Sequence, residues 1–193
     1  MDIRIDLANA IAETRAWVER AVIGLNLCPF AKSVQVKGQV RYVASNATDP
    51  DMLLAELCDE FCALADAAPE SIDTTLLIHP QVLTDFAQYN DFLDLAEDAL
   101  AALGLDGVLQ IASFHPRYRF AGTTDDDITN ATNRSPWPML HLLREASIER
   151  AVAAFPRPES IFEANMRTLQ SVGPAGWQAL MAQCRADADD ATR

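Results

Sequence analysis

Between Tyr42 and Pro116 the chain carries no lysine or arginine at all, against fourteen aspartates and glutamates, within a net charge of −13 over 193 residues. A surface so short of cations repels phosphate backbones and anionic lipid, so neither a nucleic acid nor a membrane is expected as a partner. The acidic run itself reads as a solvated helix face that keeps the protein soluble. Also missing is any run approaching the roughly 18 apolar residues that span a bilayer. The opening Met1-Asp2-Ile3-Arg4-Ile5-Asp6 lacks the basic-then-apolar pattern of a secretory leader, so a cytoplasmic protein is expected. Four cysteines, Cys28, Cys58, Cys62 and Cys184, contain no CxxC pair, and three histidines form no HxH or HxxxH spacing. They are read as thiols, with Cys58 and Cys62 packing as small hydrophobes on one helix face. A metal would need His79 or His115 to converge in space with Asp125, Asp127 or Cys28, and none is expected. No internal repeat or low-complexity segment occurs.

What is present is enough apolar sequence, half of the chain, to bury a core, and 1–193 is read as a single domain. Asp6 opens a first helix that ends near Gly24. If Pro29 opens a short helix, Cys28 sits at its N-cap, where free amides and the helix dipole would activate a thiol; the alternative is a small hydrophobe buried in a Leu/Phe-rich turn. Gln39 to Ala44 alternates as a strand, and Asp49-Pro50 starts a helix that stops at Ala68-Pro69. Thr74 to Ile78 is a continuous apolar strand buried on both faces. A helix from Thr84 to Leu103 and a strand from Gly107 to Phe114 follow. Strand, helix, strand, helix, strand predicts an α/β or α+β fold with a short, mainly parallel sheet of at least three strands flanked by helices. Ser135-Pro136 reads as the start of a further helix, with His141, Arg144 and Glu145 on a shared polar face. Two helices, Pro158 to Ser171 and Gly173 to about Ala186, complete a C-terminal helical extension, and Asp187 to Arg193 reads as a frayed tail.

In open sheets of this kind ligands bind beyond the carboxyl ends of the strands. Those ends are Ser45-Asn46, His79-Pro80 and His115-Pro116, which brings two of the three histidines to one edge. Neutral imidazoles there suit general acid or base work, so His115 and His79 are the catalytic candidates, with Cys28 as a candidate nucleophile. Residues 113 to 145 also concentrate four arginines and three consecutive aspartates. Asn133, Arg134 and Ser135 before a helix start, with Arg117, His141, Arg144 and Glu145 in reach, would hold a small anionic molecule, a carboxylate or phosphate. The alternative is that Arg134 and Arg144 pair with Asp125 to Asp127 and Glu145 to pin a long loop.

Asn26-Leu27-Cys28-Pro29-Phe30, Phe114-His115-Pro116-Arg117-Tyr118-Arg119-Phe120 and Thr132-Asn133-Arg134-Ser135-Pro136-Trp137-Pro138, with His141-Leu142-Leu143-Arg144-Glu145, resemble the bacterial family catalogued as domain of unknown function 1415. The resemblance covers nearly the whole chain. It implies a cytosolic protein of this size and supplies no activity, cofactor or catalytic residue. Three readings therefore stay open: a small enzyme acting on an anionic metabolite, a non-catalytic ligand-binding or regulatory protein using the same arginines, and thiol redox chemistry at Cys28.

Overall fold

Three aspartates cap the helices that dress the sheet. The computed structural model describes residues 6–155, 157 and 160–192. Met1 to Ile5, and Pro158 as a helix start, lie outside them. Asp6 accepts from the amides of Ala8 and Asn9 and opens α1 (Leu7–Trp17), which continues as a π-helical turn over Val18–Ile23. Asp49 accepts from Met52 and opens α3 (Pro50–Asp66), and Asp85 accepts from Ala87 and Gln88 and opens α4 (Phe86–Ala102). The remaining helices are α2 (Ala31–Val36), α5 (Glu145–Ala154) and α6 (Ser160–Ala191). The strands are β1 (Val40–Ala44), β2 (Thr74–Ile78), β3 (Leu109–Phe114) and β4 (Met139–Arg144).

The fold is α+β, and its sheet is mixed rather than mainly parallel. Its order is β1-β2-β4-β3, with β1 parallel to β2 and β4 antiparallel to both β2 and β3. The three anticipated strands do run in one direction; the strand between β2 and β3 is the segment expected as a helix. Ser135 does not cap a helix, because its hydroxyl donates to the Trp137 carbonyl at 2.6 Å. The run Met139-Leu140-His141-Leu142-Leu143 suits either period, and the unpaired edges of β2 and β3 decide for a strand, since each buried amide and carbonyl there needs a partner. His141, Arg144 and Glu145 consequently share no face. His141 points to one side of the sheet, Arg144 to the other, and Glu145 opens α5.

Alternation along the strands separates two apolar layers. Leu77, Leu140, Leu142 and Leu109 face α3 and α4, where they meet Leu53, Leu57, Phe61, Tyr89 and Leu100. Leu76, Ile78 and Met139 face α1 and α6, where they meet Trp17, Ala21, Leu169, Trp177 and Cys184. The last helix is thus part of the core and not an appended extension. It breaks at Gly173, whose φ of 68° sits beside Pro174, and the expected frayed end is instead helical to Ala191, with Asp187 paired to Arg20. Cys58 and Cys62 do not both pack inward, as Cys62 is exposed. Among the described residues no helix is long and apolar enough to cross a membrane.

Arg144 ties the end of β4 to the far end of α3. Only 8 % exposed, its guanidinium donates to the carbonyls of Leu64, Ala67 and Ile72 at 2.5 to 3.0 Å. These are the carbonyls left open by a helix end and the turn after it, and a cation is favoured there by the helix dipole. Replacing Arg144 with Met should therefore cost about 2–4 kcal/mol of stability, since three carbonyls lose a charged donor. Arg117→Ala, which removes one exposed pair with Asp85, should cost under about 1 kcal/mol. Denaturant unfolding of the two variants checks the contrast.

Candidate functional site

His79 and His115 do meet at the carboxyl edge, on either side of Tyr89, with ring centroids 5.7 and 5.1 Å from the phenol. Both histidines are closed off from solvent, at 0 % and 1 % exposure. The Arg117 amide donates to His115 Nδ1 at 3.0 Å, so the proton of the neutral ring sits on Nε2, which donates to the Leu83 carbonyl at 3.3 Å. His79 Nδ1 donates to the Val82 carbonyl at 3.0 Å, and its buried Nε2 has no partner among the described residues. The two rings hold a loop in which Leu83 takes a φ of 54°, a left-handed backbone that a leucine adopts only under constraint. Tyr89 completes the arrangement: its hydroxyl donates to the Met139 carbonyl at 2.8 Å and accepts the Phe114 amide at 3.0 Å, bridging β4 and β3 where their ladder ends.

The residues expected to gather an anion are spread apart. Arg134 donates to the carbonyls of Tyr118 and Asp125, which fastens the loop between β3 and β4. Asn133 donates to the Ser113 carbonyl, and Arg117 pairs with Asp85 at the surface. Arg134 and Ser135 line a small cleft of about 260 Å³ with Arg185, Gln178 and Trp177. Arg144 and Glu145 lie at the other end of β4. Among the described residues, no group of three or more His, Cys, Asp or Glu is placed to hold a metal ion.

A larger opening lies on the α1 and α6 side of the sheet, towards the amino ends of β1 and β2. About 1010 Å³ in volume, it has a floor of Val40, Leu76, Leu143, Ala112 and Phe114, and His141 also lines it. The walls are α5 (Ile148, Ala151, Phe155), the π-helical turn with Trp17 and Val22, and α2 with the segment before it, which brings Cys28 and Phe30 to the rim. Phe30 meets Phe155 edge to face at 5.9 Å between ring centres, closing one side. Cys28 is no helix cap, because α2 begins three residues later and Cys28 accepts the Ala31 amide in the turn before it. Of the anticipated site residues, Cys28, His141 and Arg144 border this cavity, and His79, His115, Arg117, Asn133, Arg134, Ser135 and Glu145 do not.

The cavity wall is mainly apolar, but charged groups also border it, Lys37, Glu70, Asp73, Arg144 and Arg150 among them, and several of its polar groups are engaged. The Thr74 hydroxyl has one proton, and the Leu142 carbonyl takes it at 2.6 Å. The 2.7 Å contact of the same oxygen with His141 Nε2 must therefore run the other way, with the imidazole as donor. His141 Nδ1 then carries no proton and has no partner among the described residues, in a residue that lines the cavity. Beside it Ser147 donates to Asp73 at 2.6 Å and accepts from Arg150 at 3.0 Å. Sequence reasoning overlooked Thr74, Asp73, Ser147 and Arg150. The available signals were a threonine pair opening an apolar strand and a Ser-x-x-Arg spacing on one helix face.

Burial sets the charge state of these histidines. Desolvation pushes His79 and His141 down to about 4, and it also lowers His115 from its ordinary range. With folded values below the unfolded value near 6.5, the three contribute nothing above that pH, where both states are neutral. As pH falls from about 6.5 towards 4 the unfolded chain takes up protons that the folded one refuses, so stability falls across this window. His79 and His141 should each add about 1.4 kcal/mol per pH unit to that slope. Urea unfolding of wild type and His141→Asn at pH 7.5, 6.0 and 5.0 tests this: the variant should lose stability less steeply, and equal slopes would refute the assignment.

No curated protein and no solved structure matches this chain. One family model does, over residues 9–179, covering all four strands and the cavity floor, and its description is protein of unknown function (DUF1415). A match spanning most of the chain settles membership: the protein belongs to the DUF1415 family.

Proposed function

We propose that this protein binds a largely apolar small molecule in the cavity over the sheet face. One observation carries the reading: an apolar stretch of sheet, from Val40 through Leu76 and Leu143 to Phe114, lies under an opening of about 1010 Å³ instead of under a helix. Ligand sites have this character, a concave and mainly apolar wall with a few placed polar groups, and volumes of roughly 300–1000 Å³. Water against so much apolar surface is unfavourable, and an organic occupant removes that cost. Whether the occupant is also transformed turns on Cys28 and His141, a thiol and an unprotonated ring nitrogen that border the same cavity. This moves the expected chemistry from the carboxyl edge to the opposite end of the sheet.

A second reading keeps the anionic metabolite. Its support is the small cleft lined by Arg134, Ser135 and Arg185. An anion held there would raise the melting temperature in phosphate or citrate, and Arg185→Ala would abolish the rise.

The cavity reading predicts that N-phenyl-1-naphthylamine, a neutral fluorescent probe, binds the protein. Ala112→Phe, which fills the floor at the cross-strand neighbour of His141, should weaken the probe at least about tenfold while leaving the melting temperature nearly unchanged. Bound probe should also slow N-ethylmaleimide labelling of Cys28 and leave the exposed Cys62 unaffected. Equal affinity for wild type and Ala112→Phe would exclude this cavity as the site.

A further inference from the structure

We infer that the ligand of the sheet-face cavity is a neutral compound that presents a hydrogen-bond donor, a hydroxyl or an N–H on an apolar body, to His141 Nδ1, with Thr74 fixing the tautomer that receives it. The inference rests on the cavity reading and adds the class of molecule that the cavity takes.

Two contacts make the argument. A carbonyl cannot donate, so the single Thr74 hydroxyl proton is committed to the Leu142 oxygen at 2.6 Å. The hydroxyl oxygen can then only accept from His141 Nε2 at 2.7 Å. This leaves Nδ1 as a lone acceptor. Its position gives the acceptor selective force, since His141 sits opposite Leu76 on one neighbouring strand and Ala112 on the other, with the Phe114 ring at 6.0 Å. Among the described residues no donor bonds this acceptor, and a ligand without a donor leaves it unpaired once water is displaced.

The same geometry discriminates among anions. A carboxylate offers only lone pairs and would meet the lone pair of Nδ1. In the free protein burial lowers its pKa to about 4, so near neutral pH the ring has no proton on Nδ1 to offer a carboxylate. Thr74 is a positioning residue in this scheme: it touches His141 and acts through the tautomer.

The experiment compares probes that share one apolar body. 2-Naphthol carries a donor, naphthalene and 2-methoxynaphthalene carry none, and 2-naphthoate is an ionised acceptor. Binding to the full chain is measured at pH 7.5 by ligand fluorescence, with ¹⁵N spectra of the histidines in the free protein. The expected result is that 2-naphthol binds at least tenfold tighter than each of the other three, that this preference shrinks in Thr74→Val, and that His141 Nδ1 resonates as an unprotonated nitrogen. Equal affinity of 2-naphthol and the two neutral analogues would overturn the inference while leaving the cavity as a binding site. Tighter binding of 2-naphthoate, or a protonated Nδ1 in the free protein, would also overturn it. Failure of all four probes to bind would remove the cavity reading together with it. The ¹⁵N measurement on wild type stands even if Thr74→Val does not fold.

Discussion

β4 has hydrogen-bonding neighbours on both edges, and much of the molecule depends on that placement. Its register against β2 sets Leu76 across from His141, and its register against β3 sets Ala112 on the other side, so the imidazole occupies the middle of the sheet. Alternation sends Leu140, Leu142 and Arg144 to the opposite face, where the arginine reaches the last carbonyls of α3. A slip of one residue would exchange these faces, burying the imidazole among leucines and taking the guanidinium from its carbonyls. One strand thereby fixes both a polar group in the cavity and the anchor of the layer behind it.

The two faces treat their polar groups differently. On the α3 and α4 side most polar groups at the core's edge are engaged, His79 Nε2 and the Thr75 hydroxyl excepted: Tyr89 satisfies two main-chain groups, His115 two, and Arg144 three carbonyls. On the cavity side His141 keeps one nitrogen open, and Thr74 determines which one. A histidine closed off from solvent, as His79 and His115 are, stabilises a loop, and one that lines a cavity can meet a ligand. Residue type alone does not distinguish them, because the distinction lies in what surrounds the ring.

Much of the fold was legible because local signals agreed with tertiary ones. Asp49-Pro50 and Asp85 are strong helix starts, Thr74 to Ile78 is apolar without interruption, and the shared direction of β1, β2 and β3 followed from helices between them. The segment from Ser135 failed for a physical reason. Ser-Pro followed by an apolar run is helix chemistry in isolation, and only the two open strand edges, contributed by residues far away in sequence, make it a strand. That error carried the site with it: a helix places His141, Arg144 and Glu145 together, whereas a strand separates them. The convergence of His79 and His115 was readable from strand direction, but their burial was not, since it depends on Tyr89 and the turn at Leu83 filling the edge. The cavity was not readable at all, because an opening over a sheet is made by what α1, α5 and α6 do not cover.

The strand order also has a consequence for the chain as it is made. Synthesis delivers β1, β2 and β3 before β4, yet β4 belongs between the second and third. Until the ribosome has released residues 139–144, the five wholly buried residues of β2 have one paired edge and one bare edge. An apolar strand edge of that kind is a template for pairing with another chain. The nascent protein thus passes through a stage at which β3 must wait apart from β2, and the acidic helices α3 and α4, already emerged, supply the like-charge repulsion that keeps such chains from joining.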